Sequence, residues 1–370
     1  MSDMMSLIIY FLAFISSVGM ISLYINRTKN NKKNFWINSF LISGSALILI
    51  ILLGCRYYTG TDFKGYIERY AVISRGFVVP FRDTFEIGDY IICKIAYFLS
   101  GNEISAQASQ IMFLIYSLTT IYFVYKALFL YKEKISIPFA LSIYLLVFFP
   151  FAFNGMRQSL SMAIILCMTK MVLDNKKIKS FFYLFLACLF HIPAITLFPF
   201  VCIWFFCKKQ KNKVFVPIII YTIIGVLFVP IINTMIQFPL FERYSSYFET
   251  MHLEFGFGVL IQSLPEMFLL LYYRKKILSD QSLSFFFSMF FVGFILKNMG
   301  YLEDSFSRMA IYFSISKIIF YPMILSRTVL KDRKILYFIS YIVIISYFIL
   351  YSYILGFNGL FPYQFRWFLG

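Results

Sequence analysis

The chain has 370 residues, of which 61% are hydrophobic and 14% are charged. Because soluble domains are about one quarter charged, this composition excludes a water-soluble globule. Apolar runs of about 20 residues, the length that crosses a bilayer, recur along the whole sequence. They predict an all-α, polytopic integral membrane protein.

The net charge of +17 lies mainly in short basic clusters between the apolar runs. Short basic loops are retained in the cytoplasm, so the clusters indicate topology rather than nucleic-acid binding. The clusters are 27–33, 131–134, 175–179, 208–213, 274–276 and 327–334.

The first two predicted spans, 5–26 and 35–55, flank a basic loop, so we expect the N-terminus outside. The second span leads to the longest polar interruption of the chain. We predict that 56–103 is an outer loop with short or re-entrant helices, because its apolar part, 87–100, is too short to cross. The motif TGTDFKGY predicts a turn and a short helix capped by Thr61 or Asp62.

Span 104–130 is followed by a predicted hairpin of 135–153 and 156–174. Its turn, FPFAFNGMRQS, places Arg157 and Gln158 at the outer mouth.

Segment 180–207 lies between two basic clusters, although its length is too great for one helix and too small for two. Pro193 disfavours helix at the preceding residues. We therefore predict two short half-helices that meet at His191, a break tolerated at membrane depth only where it is buried in protein or lines a wet cavity. This interpretation places His191 at the floor of an outward-open cavity.

The remaining chain predicts a second outer loop at 234–257 and no separable soluble domain, so 1–370 forms one transmembrane domain. With the broken hairpin there are about 11–12 transmembrane helices, and both termini lie outside. The later spans are 214–233, 258–273, 282–299, 307–326 and 335–355.

Polar residues from four distant places fall on the outer side at a similar depth. Arginines there indicate an anion such as phosphate or pyrophosphate, while carboxylates and a histidine are candidate bases. Each also has a structural alternative: an interfacial anchor, a core histidine or a helix cap. No D-x-D motif occurs, so no metal site or cofactor is predicted. The residues are Arg56, Asp62, Glu86, Arg157, Gln158, His191, Glu303, Asp304 and Arg308.

Five motifs in order, RYYTGTDFKGY, FEIGDYIICKIA, NGMRQSLSMAI, LFHIPAITLFP and FSRMAIYF, resemble the EpsG-like branch of Wzy-type bacterial polysaccharide polymerases. The resemblance covers roughly residues 50–320. The matching positions are Arg56, Gly60, Thr61, Asp62, Tyr66, Glu86, Gly88, Arg157, Gln158, Phe190, His191, Arg308, Tyr312 and Phe313.

The resemblance implies a GT-C-like, metal-independent glycosyltransferase of the bacterial cytoplasmic membrane whose site faces the periplasm or exterior. Such an enzyme transfers a growing glycan from polyprenyl pyrophosphate onto a lipid-linked oligosaccharide repeat unit. It implies partners: the polyprenyl-pyrophosphate-linked oligosaccharide, membrane lipids, and chain-length regulator and flippase proteins.

From charge and topology we expect Arg157 and Arg308 to bind pyrophosphate, with Arg56 as a third cation. Asp62 is the first choice for the base, with Glu86 and His191 as rivals. Further substrate contacts are expected from Thr61, Tyr66, Gln158 and Tyr312. The remaining arginines of the outer loop, Arg69, Arg75 and Arg82, are interpreted as surface or lipid-headgroup contacts.

Two other functions remain open. A lipid-linked-oligosaccharide flippase would need charges through the membrane depth, for which Lys94, Lys297 and Lys317 are candidates, and would favour an internal repeat, which we do not find. A membrane O-acyltransferase would pair a carboxylate with a histidine, either His191 or His252.

Overall fold

The structure, a computed structural model, describes residues 2–32, 34–76, 86–207, 214–235, 257–299, 304–328 and 330–366. In this part of the chain the regular structure is helical, with one isolated β-bridge between Arg56 and Phe365 and no strand. The predicted fold class, an all-α polytopic membrane protein, is confirmed.

The helices follow one another along the described chain. They are α1 (Asp3–Lys29), α2 (Phe35–Gly54), α3 (Phe63–Ser74), α4 (Ile87–Leu99), α5 (Ser109–Leu130), α6 (Ile137–Ile143), α7 (Met156–Leu173), α8 (Lys177–Phe190), α9 (Leu197–Phe206), α10 (Phe215–Met235), α11 (Phe257–Ser279), α12 (Gln281–Met299), α13 (Asp304–Ser314), α14 (Lys317–Ser326) and α15 (Leu330–Phe348).

Seven helical segments among the described residues are long and apolar enough to cross a membrane. Each overlaps a predicted span, and three shorter apolar helices overlap three more. The predicted total of 11–12 transmembrane helices stays a prediction, since only seven of the described helical segments meet the length and composition expected of a membrane span. The seven are Asp3–Lys29, Phe35–Gly54, Ser109–Leu130, Met156–Leu173, Gln281–Met299, Phe306–Ser326 and Asp332–Ile354.

The chain divides into two compact units. Unit 1 comprises Met1–Lys170, Phe185–Ile192 and Tyr321–Gly370, and unit 2 comprises Met171–Leu184 and Pro193–Phe320. In unit 1, α1 packs on α2 and α6, α2 on α5, and α4 on α3 and α5. In unit 2, α12 packs on α10, α11 and α13. The prediction of one transmembrane domain for the whole chain stays a prediction.

Hydroxyl groups join the long helices of unit 1. The Oγ atoms of Ser17 on α1 and Ser45 on α2 lie 2.8 Å apart, and Ser45 Oγ lies 2.6 Å from the phenolic oxygen of Tyr125 on α5. All three residues are buried. Apolar surface does not drive helices together in lipid, so such interhelical hydrogen bonds help to fix their register.

Two predicted breaks are present. The helix that begins with α6 continues as π and 3-10 turns through Tyr144–Phe153, and the chain reverses at Asn154–Gly155 before α7. Helix α8 ends at Phe190, and a 3-10 turn over Ile192–Thr196 leads into α9. The two half-helices therefore meet at His191, as Pro193 indicated.

The segment 56–103, predicted to be an outer loop, contains two short helices, α3 and α4, of 12 and 13 residues. Helix α4 is shorter than the about 20 residues that cross a bilayer, and the position of 56–103 as an outer loop stays a prediction. The connecting residues 77–85, and nearly all of the predicted loop 234–257, lie outside the described residues.

Candidate active site

An ion pair joins Glu86, the N-cap residue of α4, to Arg157 in the first turn of α7. Arg157 Nη1 lies 2.7 Å from Glu86 Oε2, and the Glu86 side chain has no exposed surface. The other carboxylate oxygen, Oε1, accepts the amide N–H of Ile192 at 3.2 Å. Within unit 1, the Glu86 carboxylate thus links the predicted outer loop, the α7 hairpin and the end of α8.

The break at His191 supplies the amide that Glu86 binds. In an unbroken helix the Ile192 N–H would donate to the carbonyl four residues earlier. Because the helix ends at Phe190, this donor is released and turns to the carboxylate. Pro193, which disfavours helical geometry at the residue before it, is the sequence feature that accounts for the release.

Gly88 permits the close approach of α4 to the end of α8. A Cβ atom at Gly88 would lie 2.6 Å from the Phe190 ring and 2.8 Å from the Leu189 carbonyl oxygen. The acidic residue and the glycine two positions later therefore act together: the glycine brings the helix close, and Glu86 reaches the free amide.

Burial raises the pKa of Glu86 to about 7 from an ordinary value of 4.5. The guanidinium of Arg157 and the Ile192 N–H favour the ionised form, but they only partly offset the loss of solvation. Glu86 is therefore poised to change charge near neutral pH.

Arg157 is the member of this ion pair that reaches the surface, with 21% of its side chain exposed. The neighbouring residue Gln158 is buried. The amide of Met156, at the start of α7, donates to the phenolic oxygen of Tyr66 at 3.0 Å, so the phenol caps the helix that carries Arg157.

Arg56 lies in the loop between α2 and α3 and is fully buried. Its guanidinium carbon is 5.0 Å from the centre of the Phe113 ring and 5.1 Å from that of Phe153, and Nη1 donates to the Ala152 carbonyl at 3.4 Å. Nε and Nη2 have no hydrogen-bond partner. A direct contact with substrate would require the residues packed around Arg56 to move.

The turn at Gly60 and Thr61 is clasped by the α7 hairpin. Gly60 has φ +97°, and a Cβ there would lie 2.5 Å from the Phe153 carbonyl oxygen, so glycine is required on both grounds. The Thr61 amide donates to Asn154 Oδ1 at 2.7 Å.

The C-terminal segment completes this clasp, a contact that the sequence did not predict. Asn154 Nδ2 donates to the Asn358 carbonyl at 3.1 Å, and the Gly60 amide donates to the Gly359 carbonyl at 2.8 Å. Tyr57 N–H donates to the Gln364 carbonyl at 2.8 Å. The segment 358–364 therefore lies along the loop that carries Thr61.

Asp62 is exposed beside this clasp. It is the N-cap residue of α3, as predicted, but its carboxylate makes no capping bond and instead accepts the Thr61 hydroxyl at 3.1 Å. Its oxygens are thus accessible to a ligand, in contrast to those of Glu86.

One interpretation of the outer-loop arginines is wrong. Arg69 is buried and paired with Asp89, a residue that we had not singled out. Arg75 is exposed, as expected, and Arg82 lies outside the described residues. Because Arg69 follows Tyr66 by three residues on α3, it shares the buried face, so helical spacing carried the signal.

A family model described as the EpsG family matches residues 39–365. The chain belongs to the EpsG family. The family suggests a role like that of a polysaccharide polymerase and is associated with polymerases of glycosyltransferase type. No curated protein and no solved structure matches the chain.

Within this EpsG-family chain, unit 1 brings together most of the expected site residues. Its motif positions converge on the Glu86–Arg157 pair or on the adjacent clasp. His191 is half-buried at the helix junction, and its amide N–H donates to the Ala187 carbonyl at 3.1 Å. The cavity above His191 stays a prediction.

Two expected substrate contacts belong to unit 2. On α13, Arg308 is exposed and Tyr312 is fully buried. Glu303 lies outside the described residues. Among the residues that are described, no group of three or more His, Cys, Asp or Glu is placed to hold a metal ion. Metal-independent chemistry stays a prediction.

Proposed function

We propose that this EpsG-family chain is a polysaccharide polymerase. It transfers a growing glycan from polyprenyl pyrophosphate onto a lipid-linked oligosaccharide repeat unit at the outer face of the bacterial cytoplasmic membrane. The hydroxyl of the acceptor sugar attacks the anomeric carbon of the donor glycan, and the polyprenyl pyrophosphate leaves.

The observation that carries this proposal is the partly exposed guanidinium of Arg157, held by a fully buried carboxylate. Pyrophosphate is a good leaving group, so the protein mainly needs a fixed cation where negative charge develops. An arginine anchored at one end by Glu86 offers its remaining donors to phosphate oxygens. Arg308, exposed on α13, is a second candidate cation.

The base is assigned to Asp62 rather than to Glu86. A general base must reach the acceptor hydroxyl, and Asp62 is exposed, whereas both Glu86 oxygens are engaged and buried. Glu86 and Tyr66 act as positioning residues for the first turn of α7. Thr61, Gln158, His191 and Tyr312 are assigned to the substrate surroundings by the family pattern alone.

The clasp fits the same assignment. Asn154 and the C-terminal segment hold the turn at Thr61, which immediately precedes Asp62. Arg56, buried between the rings of Phe113 and Phe153, donates to the carbonyl of Ala152 in the same hairpin. These contacts hold the turn that carries Thr61 and Asp62.

A flippase for the same lipid-linked oligosaccharide is a second candidate, favoured by charge within the apolar helices of unit 2. Lys317 Nζ lies 2.6 Å and 2.8 Å from the two carboxylate oxygens of Glu266. Ionisable groups at membrane depth commonly mark transport pathways.

Polymer chain length decides between the two candidates. Cells that carry Arg157→Ala or Asp62→Asn, at normal protein level, are expected to lose polymer by on the order of 100-fold and still to export single repeat units. Arg75→Ala, which removes an exposed arginine at the end of α3, is the matched control and leaves the polymer unchanged. Loss of export altogether would support the flippase, and normal polymer in Arg157→Ala would refute the polymerase.

A further inference from the structure

A second buried carboxylate lies one helical turn after Glu86. Asp89 has no exposed surface, although it is one of the most polar residue types. Glu86 is the N-cap residue of α4 and Asp89 lies in its first turn, close enough for the charge of Asp89 to act on Glu86. Two adjacent buried carboxylates repel, and a fold keeps such a pair only where cations compensate for both.

Residues on two neighbouring helices offset the negative charge of the Asp89 carboxylate. Its Oδ2 is paired with Nε of Arg69 on α3, and its Oδ1 accepts the phenolic O–H of Tyr116 on α5 at 2.6 Å. Arg69 and Tyr116 are themselves buried. Through this one side chain, α4 is joined to α3 and to α5.

We propose that Asp89 is a positioning residue of the active site: with Arg69 and Tyr116 it fixes the first turn of α4, so that Glu86 holds Arg157 at the anionic substrate. This inference rests on the proposed function, since it gives Asp89 a task in binding the lipid-linked pyrophosphate. Asp89 itself touches no substrate. Its effect passes through Glu86 to Arg157.

The two ion pairs form one electrostatic system. The charged groups that act on Glu86 are Arg157 on α7, Arg69 on α3 and Asp89 on its own helix. Tyr66 on α3 and Tyr116 on α5 border the same charges, and His191 precedes the amide that Glu86 binds. The negative charge of Asp89 favours the neutral form of Glu86, and the positive charge of Arg69 favours the ionised form.

The two substitutions Asp89→Asn and Arg69→Gln should therefore move the titration of Glu86 in opposite directions. The measurement is infrared difference spectroscopy of the full-length protein in liposomes, following the carboxylic-acid band that Glu86→Gln abolishes. In Asp89→Asn the midpoint falls by on the order of one pH unit, and in Arg69→Gln it rises by a similar amount.

Glu68→Gln is the matched control, since it makes the same acid-to-amide change at an exposed position beside Arg69. It leaves the midpoint unchanged. A midpoint that stays fixed in both test variants, or moves the same way in both, overturns the proposal, because a packing role alone does not produce opposite shifts.

Should Asp89→Asn fold poorly, Tyr116→Phe tests the same link by removing one hydrogen bond to Asp89. An upward shift supports the link, and no shift overturns it.

Polymer synthesis separates this inference from the proposed function. In right-side-out membrane vesicles that contain the cell's own lipid-linked oligosaccharide, Asp89→Asn should shift the acid limb of the pH profile downward, in step with the infrared midpoint. A limb that stays in place while the midpoint shifts overturns the positioning role. If Arg157→Ala polymerises normally, the polymerase proposal fails, whereas the infrared result still decides whether Asp89 controls Glu86.

Discussion

The Glu86–Arg157 pair is a costly arrangement at the residue scale. Removing both charges from water costs several kcal/mol per ion, which their attraction and hydrogen bonds repay only in part. The raised pKa of Glu86, about 7, expresses this imbalance. The pair is therefore better explained by what it holds in place than by a contribution to stability.

A pH dependence of stability follows from this pKa. The folded protein keeps the Glu86 proton up to about pH 7, whereas the unfolded chain releases it near 4.5. The stabilisation is complete below the lower value and is lost as the pH rises through the higher one. Relative to Glu86→Gln, which cannot titrate, the wild type should be equally stable near pH 4 and less stable near pH 8. Thermal unfolding in detergent across this range measures the difference, and a difference that does not vary with pH contradicts the prediction.

Sequence patterns identified Glu86 and Arg157 but not Asp89 and Arg69, the second buried ion pair beside them. Arg157 and Glu86 were identified because charges stood at the ends of apolar runs. Asp89 was not singled out, and Arg69 was wrongly interpreted as a surface contact although its spacing from Tyr66 places it on the buried face of α3. Their burial depends on the packing of α4 against α3 and α5, which is a tertiary property.

At the scale of elements, the approach of α4 to α8 depends on a missing side chain. Gly88→Ala forces a Cβ against a ring and a backbone carbonyl, and the carbonyl cannot move without disturbing the helix end. Overpacking of this kind costs about 1–3 kcal/mol. We expect a lower midpoint of thermal unfolding together with loss of polymer, because Glu86 is displaced.

Gly65 on α3 provides the matched control for this prediction. A Cβ there meets nothing within 4 Å. Alanine in a helix interior is preferred to glycine by up to about 1 kcal/mol, so Gly65→Ala should be neutral or stabilising. Equal destabilisation by both changes would show that helix propensity, rather than the contact with α8, explains the result.

The pair between α11 and α14 gives a second prediction at this scale. About 22% of the Lys317 side chain and 23% of the Glu266 side chain are exposed, and the Lys317 ammonium also lies 5.2 Å from the centre of the Phe290 ring. Removing one partner leaves the other charged group without its ion-pair partner among apolar helices. Lys317→Met and Glu266→Leu should each destabilise by roughly 2 kcal/mol or more, and the double variant by less than either.

The exposed pair of Lys132 and Glu133 is the control for that cycle. Its side chains are 61% and 85% exposed, so Lys132→Met should change stability very little. Thermal unfolding of the four variants measures the coupling. A double variant that loses the sum of the two single effects would contradict a direct interaction.

The ends of a helix could be predicted where local residues such as a proline or a basic cluster determine them. Pro193 and the two flanking basic clusters together required a break, and the helix breaks at His191. The clasp by residues 358–364 was not predictable, because it joins backbone groups about 300 positions apart through hydrogen bonds that leave no sequence pattern.

At the scale of the whole molecule, apolar runs and basic clusters were enough to predict an all-α membrane protein. These patterns were less informative about the number of membrane crossings, since several predicted spans are short helices in the structure. A helix of 10–17 residues satisfies no simple length rule, and its placement depends on what surrounds it. The orientation of the chain in the membrane therefore needs its own test.

The charge distribution predicts that the short helix α3 faces outside and the loop after α5 faces the cytoplasm. Lys64 on α3 and Glu133 in the loop are both exposed, and Glu133 lies between two lysines of a basic cluster. In intact cells, a membrane-impermeant maleimide should therefore label Lys64→Cys and not Glu133→Cys. After the membrane is opened, the maleimide should label both variants.

The native chain is the control for background labelling, since Cys55, Cys93 and Cys167 are buried and the other three cysteines are only partly exposed. Labelling of Glu133→Cys in intact cells would reverse the orientation and place the Glu86–Arg157 pair on the cytoplasmic side, where it could not act on an exported lipid-linked glycan.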